Sequence, residues 1–148
     1  MGDQERAWYE AAMIQQLFAF LFALSPLLDG HGRPIRAPES ALRTIANAAA
    51  ETESPRLFAA WLFVLGAHES GYHTGVTGDG GKSCGAYQTP CAVTPSDGLG
   101  QSRLAIKILR QAMAACPEHV LWAYASGRCV YSTTAARYER EVREVLVQ

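Results

Sequence analysis

Leu62 to Cys91 reads LFVLGAHESGYHTGVTGDGGKSCGAYQTPC, a hydrophobic run that meets one acidic residue and then a glycine-rich loop. The run continues a helix that starts upstream at Ser54-Pro55, because Ser54 is a good N-cap and Pro55 suits the first helical position. Leu57 to Leu65 is apolar nearly all round, the pattern of a helix buried on most sides. Gly71 can adopt the left-handed conformation of a C-cap, so the helix is expected to end near Ser70 or Gly71, with Glu69 in its last turn. Two effects oppose ionisation at that position: the negative end of the helix dipole and an apolar, desolvating neighbourhood. Both raise the pKa, and a carboxylic acid still protonated near neutral pH is what general acid catalysis requires.

Outward from this stretch the pattern is helical. On the C-terminal side, after Asp97-Gly98, Gln101 to Ala115 is expected as a helix with Leu104, Ile108, Leu109, Ala112 and Met113 inward. Pro117 opens a short helix through Val120, Leu121 and Tyr124 that Gly127 closes. A last helix starts near Ser132 or Thr133 and buries Tyr138, Val142, Val145 and Leu146. Its outer face pairs Glu139 with Arg143 for about 0.3 to 0.5 kcal/mol. On the N-terminal side, Pro38 and Glu39 suit a first turn, and Leu42, Ile45, Ala46 and Ala49 share one face. Leu27 to Pro38 carries Gly and Pro among charged residues and is expected as a loop.

Arg6 to Leu24 completes the set, with an apolar run from Leu17 and a stop at Ser25-Pro26. Asp3, Glu5 and Glu10 outnumber Arg6, which argues against an export signal. The run falls short of the roughly 20 residues that span a bilayer. A buried core helix is expected here, the alternative being a helix that docks on a membrane or partner. The whole reads as one mainly α domain over residues 1–148, α+β in class, with a loop-rich lobe that has room for a short β-hairpin.

Of the 148 residues, 49% are hydrophobic and 18% charged, enough for one core that buries about 70% of the unfolded surface. A net charge of -1 leaves no field for holding nucleic acid or an anionic membrane. No internal repeat or cofactor motif is present, and no cofactor is expected. Four cysteines fall as two close pairs, Cys84 with Cys91 and Cys116 with Cys129, which suggests disulfides in an oxidising compartment. Three pairings are open from sequence, as is a set of four buried thiols. His68, His73, Cys84 and Cys91 could supply four metal ligands, but no zinc-module spacing is present and no metal is expected.

Glu69-Ser70-Gly71-Tyr72, followed by Ser83-Cys84-Gly85-Ala86-Tyr87-Gln88, resembles the paired motifs of the lysozyme-like superfamily. The soluble lytic transglycosylases are closest in shape, and Ala123-Tyr124-Ala125-Ser126-Gly127 looks like their Ala-Tyr-Asn-Ala-Gly motif. The three signals stand in the family order across residues 69 to 127. The resemblance implies cleavage of the β-1,4 bond between N-acetylmuramic acid and N-acetylglucosamine in peptidoglycan, with Glu69 as acid and then base. It also implies that Ser83, Gly85, Tyr87 and Gln88 line the sugar groove and that Tyr124 stands near the acid. Ala125 departs from the family's asparagine, and Ser126 is the neighbouring hydroxyl that could replace it.

Gly78-Asp79-Gly80-Gly81 before Ser83-Cys84-Gly85 also looks like the loop of invertebrate-type lysozymes, whose second acid lies at about this place. That makes Asp79 a candidate second carboxylate for hydrolysis, where retention wants about 5 Å between the acids and inversion roughly 6.5 to 9.5 Å. As Asp beside Gly it is equally a turn residue. His68 and His73 flank the acid as tuning groups or structural residues, and Trp61 and Trp122 fit the core. The rival class is a non-catalytic wall-binding or structural module of a secretion system or virus particle, attached through the N-terminal helix. The expected location is the periplasm, cell envelope or extracellular space, or a virion.

Overall fold

A computed structural model describes residues 1–148 as six helices: α1 (Asp3–Phe22), α2 (Glu39–Ala50), α3 (Pro55–Ser70), α4 (Gly98–Ala115), α5 (Val120–Ser126) and α6 (Thr133–Leu146). Helix α3 is the axis around which the others pack, because every residue from Phe58 to Ala67 is buried. The apolar run leaves that stretch no polar face to offer water. Complete burial of Phe58, Leu62 and Leu65 stabilises the fold by about 1.5 to 3 kcal/mol for each side chain. Against α3 lie α2 through Leu42, Ile45, Ala46 and Ala49, as expected, and α6 through Tyr138, Val142 and Val145, while Leu146, expected with them, is only half-buried.

Two small antiparallel sheets complete the chain. Strands β1 (Leu27–Leu28) and β2 (Pro34–Ile35) pair with Leu27 opposite Ile35 inside the segment expected as a loop. Strands β3 (Thr77–Gly78), β4 (Ser83–Cys84) and β5 (Thr89–Pro90) form a three-stranded sheet in the loop-rich lobe, one strand more than a hairpin. The fold is thus mainly helical with a small β component. Both disulfides follow the local pairing: Cys84–Cys91 joins β4 to the residue after β5, and Cys116–Cys129 ties the end of α4 to the turn after α5. The thiolates at Cys84 and Cys91 are consumed in that bond, so the four-ligand set with His68 and His73 does not form.

Three packing expectations are corrected. Helix α1 is only half a core helix: Leu17 and Leu21 are buried, but its first three turns stand free and Trp8 is 67% exposed. Asp3, Glu5, Arg6 and Glu10 are interspersed with the apolar residues of those turns, and none of them is buried. Helix α4 turns Ala105, Ile106, Leu109 and Ala112 inward together with Gln101 and Ser102, while Leu104, Ile108 and Met113 lie at the margin. Buried hydrogen bonds from Gln101 and Ser102 set this rotation. Finally, Glu139 does not pair with Arg143; its carboxylate meets His119 Nδ1 at 3.2 Å. That histidine stacks flat on Trp122 with centroids 3.7 Å apart, and Trp122 sits at the edge of the core, unlike buried Trp61. No helix is long and apolar enough to cross a membrane.

Candidate active site

Gly71 ends α3 at φ 64°, and Tyr72 follows with φ 68°, two consecutive left-handed residues that turn the chain back over the helix. The Tyr72 amide closes the turn by donating to Gly66 O at 2.9 Å. Its ring lies against Gly66, where an added Cβ would come within 2.9 Å of the ring, and its hydroxyl donates to Phe63 O at 2.8 Å. Tyr72 is therefore a clamp on α3, with only 8% of its surface left exposed. Ser70 fixes the other side of the turn. Its hydroxyl donates to Ala86 O at 2.8 Å and accepts from the His73 amide at 3.0 Å.

This double anchoring leaves Glu69 half-buried at the helix end. Burial, and then the negative charge of Asp79, push its carboxyl above the usual glutamate range. No hydrogen bond lowers it again. A half-exposed, unpaired and reluctantly ionised acid is chemically suited to giving up a proton to a bound oxygen.

The loop residues divide into those that can meet a ligand and those that hold the lobe. Asp79 is exposed in a tight turn with φ 51°, followed by Gly80 at 65° and Gly81 at 90°. Its carboxylate accepts from Ser83 Oγ at 2.7 Å. Asp79 is thus both the turn residue that its glycine neighbours suggest and a charge felt at Glu69. Ser83 remains half-exposed beside it. Gly85 takes φ 82°, and a Cβ there would strike Gln101 at 2.6 Å. Gln88 donates from Nε2 to Gly85 O and Val76 O, so its amide knits the lobe. Tyr87 is only 4% exposed, and its hydroxyl pairs with Ser102 Oγ at 2.8 Å. Its ring packs in the core, with little of it left open to solvent.

Tyr124 comes from α5, whose end Gly127 caps at φ 75°. Its hydroxyl donates to Tyr87 O at 3.1 Å. Burial and then the charge of Glu69 hold its pKa well above the usual tyrosine range, which brings Tyr124 into the field of the acid. Tyr87 thus serves the site through its carbonyl. Ser126 does not stand in for the missing asparagine: its hydroxyl donates back to Trp122 O at 3.0 Å and accepts from the Arg128 amide. Ala125 beside it is exposed.

Two groups of residues around the acid escaped the sequence. Tyr138 of α6 is pushed up to about 12, first by burial and then by the charge of Glu69, so a second tyrosine lies within the acid's electrostatic reach. Its ring stacks on His68 with centroids 4.8 Å apart and a 10° interplanar angle. His68 pairs in turn with Glu141, whose other oxygen accepts from Arg137 Nε at 3.2 Å. Glu141 falls three residues after Tyr138 on the inward face of α6, and a carboxylate in that register was the available signal. Gln101 is the other. It accepts from the Ala86 amide at 2.8 Å and donates to Thr74 O and Pro95 O. Its partners lie up to 27 residues away, and nothing local marks them.

No group of three or more His, Cys, Asp or Glu is placed to hold a metal ion. The chemistry available at the end of α3 is proton transfer by one carboxyl that interacts electrostatically with Asp79, Tyr124 and Tyr138. No family model, curated protein or solved structure matches this chain.

Proposed function

We propose that the chain is a lytic transglycosylase that cuts the β-1,4 bond between N-acetylmuramic acid and N-acetylglucosamine in peptidoglycan. The observation that carries this reading is the state of Glu69: unpaired, half-buried and raised in pKa, first by burial and then by Asp79. Protonated Glu69 gives its proton to the glycosidic oxygen as the C1–O4 bond breaks. The resulting carboxylate then takes the proton of the muramyl 6-hydroxyl as that oxygen closes on C1. The products are a 1,6-anhydro end and a free 4-hydroxyl, water is not consumed, and Glu69 returns to its acid form. Tyr124 and Tyr138, whose phenols are held neutral by burial, supply no competing charge.

The second reading is a hydrolytic lysozyme in which Asp79 is the partner carboxylate, and the influence of Asp79 on Glu69 favours it. Against it, Asp79 is exposed and engaged by Ser83. Two disulfides fit a periplasmic, envelope or extracellular site of action. The free first turns of α1, with Trp8, Tyr9 and Met13 exposed, are the part of the chain open to a secretion-machine or particle partner.

Incubating purified cell walls with wild type and with Glu69→Gln tests the enzyme. Loss of turbidity by wild type alone is expected; equal loss, or none from either, points to a non-catalytic wall-binding module. Mass spectrometry of the released fragments then separates the reactions, anhydro ends marking the transglycosylase and reducing ends the hydrolase.

A further inference from the structure

A well-formed cavity lies away from Glu69. It measures about 320 Å³ and lies between the first turn of α2, the start of α4 and the turn that follows α3. Tyr72, Tyr87 and Ile45 supply its apolar walls, and Ser40, Thr44, His73 and Thr74 its polar ones. The two tyrosine hydroxyls are already committed, to Phe63 O and to Ser102, so the rings have carbon to offer. Ser40, His73 and Thr74 are exposed, and their side chains are free to bond a ligand. Thr44 Oγ1 donates to Ser40 O and keeps its lone pairs as acceptors.

Charge narrows the ligand class. No Asp, Glu, Lys or Arg lines the cavity. A fully charged group entering it would lose hydration without gaining a counter-charge. A small ring with one apolar face and several hydroxyls meets both kinds of wall at once. The volume lies at the lower end of the roughly 300 to 1,000 Å³ typical of ligand sites, room for one sugar ring.

We propose that this cavity is a second, non-catalytic site that binds a neutral pyranose through Ser40, Thr44, His73 and Thr74. Tyr72 and Tyr87 line it, and Ser70 and Tyr72 belong to the same turn that fixes Glu69. The site does not depend on the reaction proposed above, and either can fail alone.

Gly98 provides the probe. A Cβ added there would stand 3.4 Å from Thr44 Cγ2 and 3.6 Å from Thr74 Cγ2, ordinary contact distances, so an added methyl reaches the threonines of the cavity wall without a clash. The ¹⁵N-labelled full chain is titrated with N-acetylglucosamine and, separately, with glucuronate, the same size of ring bearing a charge. Saturable amide shifts are expected at Ser40, Thr44, Thr74 and Gly98, with weaker binding of glucuronate. Gly98→Val should weaken N-acetylglucosamine by about tenfold or more, and Gly98→Ala by less, while thermal unfolding stays unchanged. The smaller variant carries the test if valine disturbs the helix start. Absence of saturable shifts at these amides, shifts confined to Glu69, Ser83 and Tyr124, equal affinity for glucuronate, or undiminished binding by both Gly98 variants would overturn the assignment.

Discussion

Helix α3 and the lobe that follows it meet at Glu69 but are held by different forces. From Phe58 to Ala67 the helix is buried on every side, and its position follows from the area its side chains remove from water. The lobe from Tyr72 to Asp97 contributes Tyr72, Gly85, Ala86, Tyr87 and Thr89 to the buried residues, and is otherwise fixed by directed bonds. Gln101 ties three backbone groups of the lobe together, Gln88 two, Ser70 two, and Cys84–Cys91 crosses it. A non-directional force places the acid, and a directional one places what the acid faces.

The largest expected effect breaks the first half of that contrast. Leu62 is fully buried, and Leu62→Ala should cost about 3 to 4 kcal/mol, the usual range for a cavity left in a packed core. Because α3 touches α1, α2, α4 and α6, the loss should appear as one cooperative fall in the denaturant midpoint, with hydrogen exchange accelerated in every helix. Protection lost in α3 alone would show that the core is not a single unit.

Gln101→Leu attacks the second half. It leaves the buried Ala86 amide without an acceptor and frees the carbonyls of Thr74 and Pro95, for about 2 to 3 kcal/mol. The loss should be local: amides from about 74 to 95 exchange faster while α3 keeps its protection. Wall cleavage should fall with it. An undisturbed lobe would mean that the disulfide and Gln88 suffice.

Replacing Cys84 and Cys91 by serine removes a short covalent loop, worth about 2 kcal/mol in the chain-entropy account. The lobe should then become protease-sensitive before the helices unfold, which limited proteolysis with mass mapping reads directly.

The same division decides what the sequence could reveal. The bounds of α3, its Pro55 start and its Gly71 stop follow from residue types that act within a few positions of themselves, and the structure places them where the pattern does. The core faces of α2 and α6 follow for the same reason. The rotation of α4 did not, because periodicity counts apolar residues and Gln101 enters the core for its hydrogen bonds. The neighbours of Glu69 divide likewise. Asp79 and Tyr124 lie in segments whose composition draws notice, whereas Tyr138 arrives with the last helix and the His68–Glu141–Arg137 chain joins residues 73 positions apart. Such contacts exist only once the helices are packed.

The smallest expected effect on stability is the one that joins the two regions, because it asks what the lobe contributes to the acid. Burial and then Asp79 raise the Glu69 pKa, so the folded state holds its proton more tightly than the unfolded chain does. The sign follows by linkage: stability from this group is fully present below the ordinary glutamate pKa and is lost as pH rises through the folded value. At neutral pH Glu69 therefore costs stability. Glu69→Gln should raise the thermal midpoint at pH 7 and lose that advantage in acid, while abolishing cleavage. Asp79→Asn should lower the Glu69 pKa toward its ordinary range, leaving only the larger effect of burial. The basic limb of the cleavage–pH profile should then move to lower pH with activity retained at its new optimum. Asparagine tolerates the left-handed backbone at position 79, so the turn should survive. Activity lost at every pH with the fold intact would assign Asp79 to the chemistry itself and favour the hydrolase. A limb that stays in place would mean that the helix acts alone, its apolar surroundings tuning an acid that the lobe merely borders.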